Sequence, residues 1–213
     1  MEINDREIVL PGQFLGTDII CDDNCIRAAG KFYSTRFGIA RVDGKNVSIM
    51  PSSGAYVPKV NDVIIGVVKT VLTGRWAIDM NSPYQCTMFG EAVTRRPLEE
   101  DLTRFYNVGD ILSGKITSVN EVHESLIEGP FKLEGGLIVE VNPRRIPRVI
   151  GRKRSMLNMI REKTNSRMVV GQNGYVWIKG ENAAYVASVV KKIEAEAQSS
   201  GLTDRISRLL DER

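Results

Sequence analysis

Gly136-Leu137-Ile138-Val139-Glu140-Val141, followed by Ser155-Met156-Leu157-Asn158-Met159-Ile160-Arg161-Glu162-Lys163-Thr164, marks the place where the apolar pattern of this chain changes period. The first run is short, apolar and of strand length. In the second, apolar residues at 156, 157, 159 and 160 fall on one helical face behind a Ser at the N-cap position. Between the two, residues 146–150 read as a single helical turn. Met168-Val169-Val170 and Tyr175-Val176-Trp177-Ile178-Lys179 then read as strands joined through Gly171-Gln172-Asn173-Gly174, and residues 182–197 as an Ala- and Val-rich helix. The expected order is β-α-α-β-β-α, with a further amphipathic helix over 202–210. Residues 136–213 should form an α+β domain at the end of a chain that is otherwise mainly β.

Toward the N-terminus the period is two. The long run from Asp62 to Val71 predicts a strand, Arg75-Trp76-Ala77-Ile78-Asp79-Met80 alternates polar and apolar after Thr73-Gly74, and Tyr84-Gln85-Cys86-Thr87-Met88-Phe89 follows an Asn81-Ser82-Pro83 turn. An acidic, partly helical insertion around 96–102 leads to a further strand over 108–119. Five or so strands with one interrupting helix describe an oligonucleotide-binding barrel over residues 56–135. Residues 1–55 carry Pro11-Gly12, Asp22-Asp23-Asn24 and a hairpin signal at Asp43-Gly44, which predicts a small β domain.

The 213 residues are 42% hydrophobic and 26% charged, an ordinary soluble composition that excludes disorder as the main state. No apolar run approaches the roughly 20 residues that cross a bilayer, and the charged start has no signal-peptide core, so the expectation is a cytoplasmic protein. Cys21, Cys25 and Cys86 have no Cys-x-x-Cys or His cluster beside them, which predicts reduced, structural thiols and no metal. His123 is the only histidine and sits in a polar stretch, which reads as a solvated residue. No catalytic constellation is legible and no cofactor is expected. Charge is unevenly placed: residues 143–213 hold 15 basic and 7 acidic residues, while 1–142 hold 14 and 19. Six of the basic residues, Arg144, Arg145, Arg148, Arg152, Lys153 and Arg154, fall in an eleven-residue window without an acid, the footprint of a surface that meets phosphates.

Val149-Ile150-Gly151-Arg152-Lys153-Arg154-Ser155-Met156-Leu157, lying between two predicted helices, resembles the Gly-x-x-Gly loop of a KH domain, which clamps the backbone of single-stranded nucleic acid. A loop at a helix N-terminus offers N–H groups and a positive dipole end to a phosphate, and glycine permits close approach. The sequence departs at the last position, where Arg154 replaces Gly. By this resemblance Arg148, Gly151, Arg152, Lys153, Arg154 and Ser155 form the KH contact. The preceding barrel is similar to an S1-type RNA-binding domain, which implies base stacking by Trp76, with Lys69, Arg75, Tyr84 and Phe89 as companions. Core packing is the alternative for each aromatic.

A small β domain, an S1 domain and a KH domain in this order resemble the archaeal RNA exosome cap subunit that carries S1 and KH domains, over essentially the whole chain. Gly171, Asn173 and Gly174 also match a Gly-x-Asn-Gly structural motif of those cap proteins. The resemblance implies a non-catalytic subunit that binds single-stranded RNA and directs it into the pore of a ring of RNase PH-like subunits. It further implies three copies on a hexameric ring, of this chain alone or mixed with a sister cap protein, docked through the N-terminal β domain. The other reading, a translation or ribosome-associated RNA-binding factor, uses the same modules.

Overall fold

The computed structural model describes residues 3–211 except Ser53, Gln198 and Ser200. The chain divides into two compact units, residues 1–54 and 55–213.

Among the described residues of the first unit, seven short strands make two sheets. β1 (Ile8–Val9), β6 (Gly38–Asp43), β7 (Asn46–Pro51) and β3 (Ile20–Cys21) form one in that order; β2 (Phe14–Gly16), β5 (Lys31–Ser34) and β4 (Cys25–Ala28) form the other. The β6–β7 hairpin turns at Asp43-Gly44 as its sequence dictates, pairing Asp43 with Asn46. Val9, Leu15, Ile19, Ala40, Val47 and Ile49 fill the space beneath. One expectation is corrected here: Cys21 and Cys25 are not free thiols but a disulfide, with Cα atoms 6.1 Å apart. The intervening turn folds back because the Asp22 carboxylate accepts the Asn24 N–H at 3.0 Å and the Ile49 N–H at 3.1 Å.

The second unit opens with β8 (Val63–Leu72), β9 (Arg75–Asp79), β10 (Cys86–Phe89), β11 (Ile111–Val119) and β12 (Ser125–Lys132), which close a barrel in the order β10-β12-β11-β8-β9. The parallel β10–β12 pair shuts it. Alternation puts Ile64, Val68, Trp76, Ile78, Met88, Leu112, Ile116 and Ile127 inside. The insertion between β10 and β11, expected to be partly helical, contains only two 3-10 turns among its described residues, Gly90–Ala92 and Leu102–Arg104.

The remainder follows the predicted order: β13 (Leu137–Glu140), α1 (Ile146–Ile150), α2 (Ser155–Thr164), β14 (Arg167–Val170), β15 (Tyr175–Lys179) and α3 (Ala183–Ala195), with α4 (Leu202–Asp211) added. The antiparallel sheet β13-β15-β14 carries the helices over a core of Val139, Val149, Ile160, Val176, Ile178, Val186 and Val190, which Ile206 of α4 completes. Ser155, expected as the cap of α2, is its first residue; Arg154 holds the N-cap position.

Barrel and α+β domain share a junction. Ile65 and Leu133 pack on Tyr175 and Trp177. The first half of β8 lies beyond the reach of β9, whose pairing begins at Val67, and the turn 171–174 takes the vacant edge. Gln172 donates its N–H to the Val63 carbonyl at 2.9 Å and accepts the Val63 N–H on its side-chain oxygen at 2.9 Å. Asn173, fully buried, accepts the Ile65 N–H at 3.1 Å and donates to the carbonyls of Ile65 at 2.7 Å and Met80 at 2.8 Å. A side chain on Gly171 would collide with the Ile65 nitrogen, 2.8 Å from a Cβ. Gly174 closes the turn, donating to Gly171 at 3.2 Å and accepting the Val141 N–H at 2.8 Å.

Candidate nucleic-acid interface

On the barrel, alternation decides which of the expected residues can meet a ligand. Along β9, Arg75, Ala77 and Asp79 face outward while Trp76 and Ile78 face in. Trp76 is 0% exposed, donates its Nε1–H to the Tyr106 carbonyl at 3.0 Å, and meets the Tyr106 ring edge-on at 5.7 Å between centroids. The expected base-stacking role for Trp76 is therefore corrected to a core role, since a ring with both faces packed has none to offer. The exposed Arg75 one position earlier is the signal that fixes this orientation.

The other four residues fall into two groups. Arg75 stands opposite both Leu72 on β8 and Phe89 on β10, making one cross-strand row. Phe89 is 43% exposed, and the row borders a cleft of about 490 Å³ that Pro97 and Leu98 also line. Lys69 and Tyr84 line a separate cleft of about 380 Å³ with Asp79 and Thr87. Tyr84 is half-buried, and its ring lies 4.8 Å from that of His123, edge to face. His123, expected to be solvated, is thus half-buried against an aromatic neighbour. Sequence reasoning also passed over Leu72 and Leu98, whose apolar side chains are exposed only because the register brings them to the rim of the first cleft.

Cys86 lines the second cleft, and burial pushes its thiol up to about 11, which leaves it protonated and unreactive near neutrality. Asp110 is held by Lys132 at 2.6 Å. Its partial burial opposes ionisation, but hydrogen bonds from Lys132 and the Asn107 N–H outweigh that and keep the carboxyl below its ordinary range. Charge on residues 55–135 is 8 basic against 11 acidic, so the barrel face is not by itself a strong polyanion attractor.

The positive charge sits on the α+β domain. α1 ends at Gly151, whose φ of +75° turns the chain, and whose Cβ, were there one, would lie 2.7 Å from the Met156 nitrogen. Glycine is required there for the loop to lie against α2. Lys153 and Arg154 follow with φ of 50° and 65°, both in the left-handed region. Arg148, Arg152, Lys153, Arg154 and Ser155 are all exposed, and no side chain caps α2. The structure thus brings the six expected loop residues together in one basic turn. It places Gly171, Asn173 and Gly174 elsewhere, in the junction with the barrel.

Comparison with known proteins agrees with this anatomy. Residues 136–184 match the model of a KH domain. Over 98% of its length the chain is 37% identical to the exosome complex component Rrp4 of Methanothermus fervidus, covering 96% of that protein. It is 36% identical to the component of the same name from Pyrococcus horikoshii, with 98% of this chain and 83% of that protein covered. A crystal structure described as an exosome complex RNA-binding protein superposes with a TM-score of 0.67 at 33% identity, over 75% of this chain and 97% of the other.

Proposed function

The chain belongs to the Rrp4 family of exosome components, and from that premise we propose that it is the non-catalytic RNA-binding cap of an exosome, guiding single-stranded RNA into the pore of a ring of RNase PH-like subunits. The observation that carries this reading is the exposed Leu72–Arg75–Phe89 row beside its cleft, in one compact unit with a basic turn at a helix N-terminus. Aromatic and guanidinium faces suit unpaired bases of any sequence, and the basic turn suits the backbone, which together fit a handler of unstructured 3' ends. The ribosome-associated reading has no comparable support, since the relatives are exosome components.

Docking on the ring is assigned to the first unit. Its four-stranded sheet pairs Ile8 with Ile39 and Ile39 with Met50, so the three side chains form a row on the face opposite the core. Ile8 is 63% exposed and Met50 51%. Such a row, dispersed in sequence and joined only by register, is the surface a partner covers. Three copies on a hexameric ring would each use it once.

The purified chain should bind unstructured RNA weakly and leave it intact, with phosphorolysis appearing only when the ring subunits are added. Shortening of a 3'-labelled RNA by the rigorously purified chain with phosphate would overturn the cap assignment. Phe89→Ala should weaken single-strand binding by about 1–3 kcal/mol, the worth of one base stacked on an aromatic ring, without lowering the melting temperature appreciably. Fluorescence anisotropy with a short oligonucleotide reads the first quantity and a thermal melt the second.

At the basic turn two effects oppose each other. The Arg154 charge attracts phosphate by about 1 kcal/mol in solvent, while its side chain holds the RNA backbone off N–H groups whose bonds to a charged partner are worth about 1.5–3 kcal/mol each. Its left-handed backbone costs a further ~1 kcal/mol that glycine would not incur. Arg154→Gly is therefore expected to stabilise the fold slightly, to raise affinity for short single strands and to flatten its salt dependence. Anisotropy titrations at two salt concentrations test this, and a fall in affinity would make Arg154 itself a principal contact.

A further inference from the structure

We propose that the turn closed by Cys21 and Cys25 is a thiol metal site: once reduced, the two thiolates and the Asp22 carboxylate take up one thiophilic divalent cation of the zinc class. The Sγ atoms of both cysteines and a carboxylate oxygen of Asp22 all lie within 4.8 Å of one another. Two cysteines separated by three residues fall within the spacing of zinc half-sites. Tetrahedral coordination at a Zn–S distance of about 2.3 Å sets the sulfurs about 3.8 Å apart. Rotation about the two Cα–Cβ bonds reaches that with the Cα atoms held at 6.1 Å. Both cysteines are half-buried, so ions and reductants in solution have access.

The donors stay convergent when the disulfide opens, because the turn is held by bonds in which no sulfur takes part. Cys25 donates its N–H to the Asp22 carbonyl at 3.2 Å, and the Asn24 carbonyl accepts the N–H of Thr35 at 2.9 Å and its hydroxyl at 2.8 Å. Asn24 Nδ2 donates to the Ile49 carbonyl at 3.1 Å. The Asp22 carboxylate is fixed independently. Its Oδ2 accepts from the Ile49 N–H at 3.1 Å and from Asn24 Nδ2 at 3.2 Å; its Oδ1 accepts from the Asn24 N–H at 3.0 Å and lies 3.8 Å from the Cys25 sulfur. A carboxylate has about four lone-pair sites, so Oδ1 keeps one for a cation on the sulfur side. Three protein ligands leave the fourth coordination position to water.

The chemistry balances with a dithiol reductant. The reductant's two thiols become its disulfide and supply two electrons and two protons to the Cys21–Cys25 bond, giving two cysteine thiols. Each thiol then loses its proton as its sulfur binds, so one cation enters and two protons leave.

The test uses the full chain, reduced, freed of reductant and titrated with Co²⁺ or Cd²⁺ alone. One equivalent should bind, with a sulfur-to-metal charge-transfer absorption that Zn²⁺ displaces, and the bound ion should shield two thiols of the wild-type protein from alkylation. Cys21→Ser and Cys25→Ser should each abolish the absorption. Cys86→Ser should leave it unchanged, and Asp22→Asn should weaken binding at least about tenfold. A reduced protein whose two thiols are shown free by titration yet develop no absorption with either ion, and gain no protection, would overturn the site. So would an absorption that survives in Cys21→Ser.

Discussion

Asn173→Ala should destabilise the unit of residues 55–213 by about 3–6 kcal/mol, a loss larger than the side chain's modest size suggests. The substitution removes an amide that is fully buried and makes three bonds, to the N–H and carbonyl of Ile65 and to the carbonyl of Met80. Each of those backbone groups would be left without that partner away from solvent, and a buried orphan costs about 1–3 kcal/mol. The neighbouring pair of bonds between Gln172 and Val63 and the packing of Ile65 and Leu133 on Tyr175 and Trp177 would remain, so the junction should loosen before it parts. Asn173→Asp tells polarity from volume: it keeps the shape but turns an acceptor toward two carbonyls, and should cost at least as much. Urea unfolding of the three proteins measures the difference, and hydrogen exchange at the Ile65 amide should accelerate selectively. A loss below about 1 kcal/mol would mean that water replaces the amide without penalty.

The same residue shows where sequence reading stops. Gly171-Gln172-Asn173-Gly174 is legible as a turn and as a motif, but what it holds is the edge of β8, 108 residues away in sequence at Ile65. No local pattern carries that pairing. The β-α-α-β-β-α order was legible because each element is announced locally, by a change of period or by a turn residue, and the elements run close to their expected bounds. β12, the strand that closes the barrel, was not located because Gly129-Pro130 sits inside it, a pair that ordinarily ends a strand; the ladder with β11 absorbs it through a shift of register between Ser113 and Lys115. The disulfide was missed for a similar reason, since the turn that closes it is fixed by Ile49, far along the chain. The Ile8–Ile39–Met50 row consists of residues unremarkable one at a time.

Trp76→Ala should cost about 3–5 kcal/mol of stability, the range for emptying the place of a buried indole. The residue is fully enclosed by the barrel, and the gap cannot close easily because its walls are strands tied to their neighbours on both sides. For a unit of this size each kcal/mol corresponds to roughly 2–4 °C, so the melting temperature should fall by about 6–20 °C. Trp76→Phe isolates one component. A phenyl ring keeps most of the packing against Tyr106 but cannot donate to the Tyr106 carbonyl, now 3.0 Å from Nε1, and that loss should amount to about 1–3 kcal/mol. The decisive comparison is with Phe89→Ala on the outer face of the adjacent strand. Trp76→Phe should lower stability and leave the RNA affinity of the folded protein unchanged, whereas Phe89→Ala should do the reverse. If Trp76→Phe weakened RNA binding at a temperature where the protein is fully folded, the indole would have to reach the surface during binding. The barrel would then open to its ligand, against everything its packed interior implies.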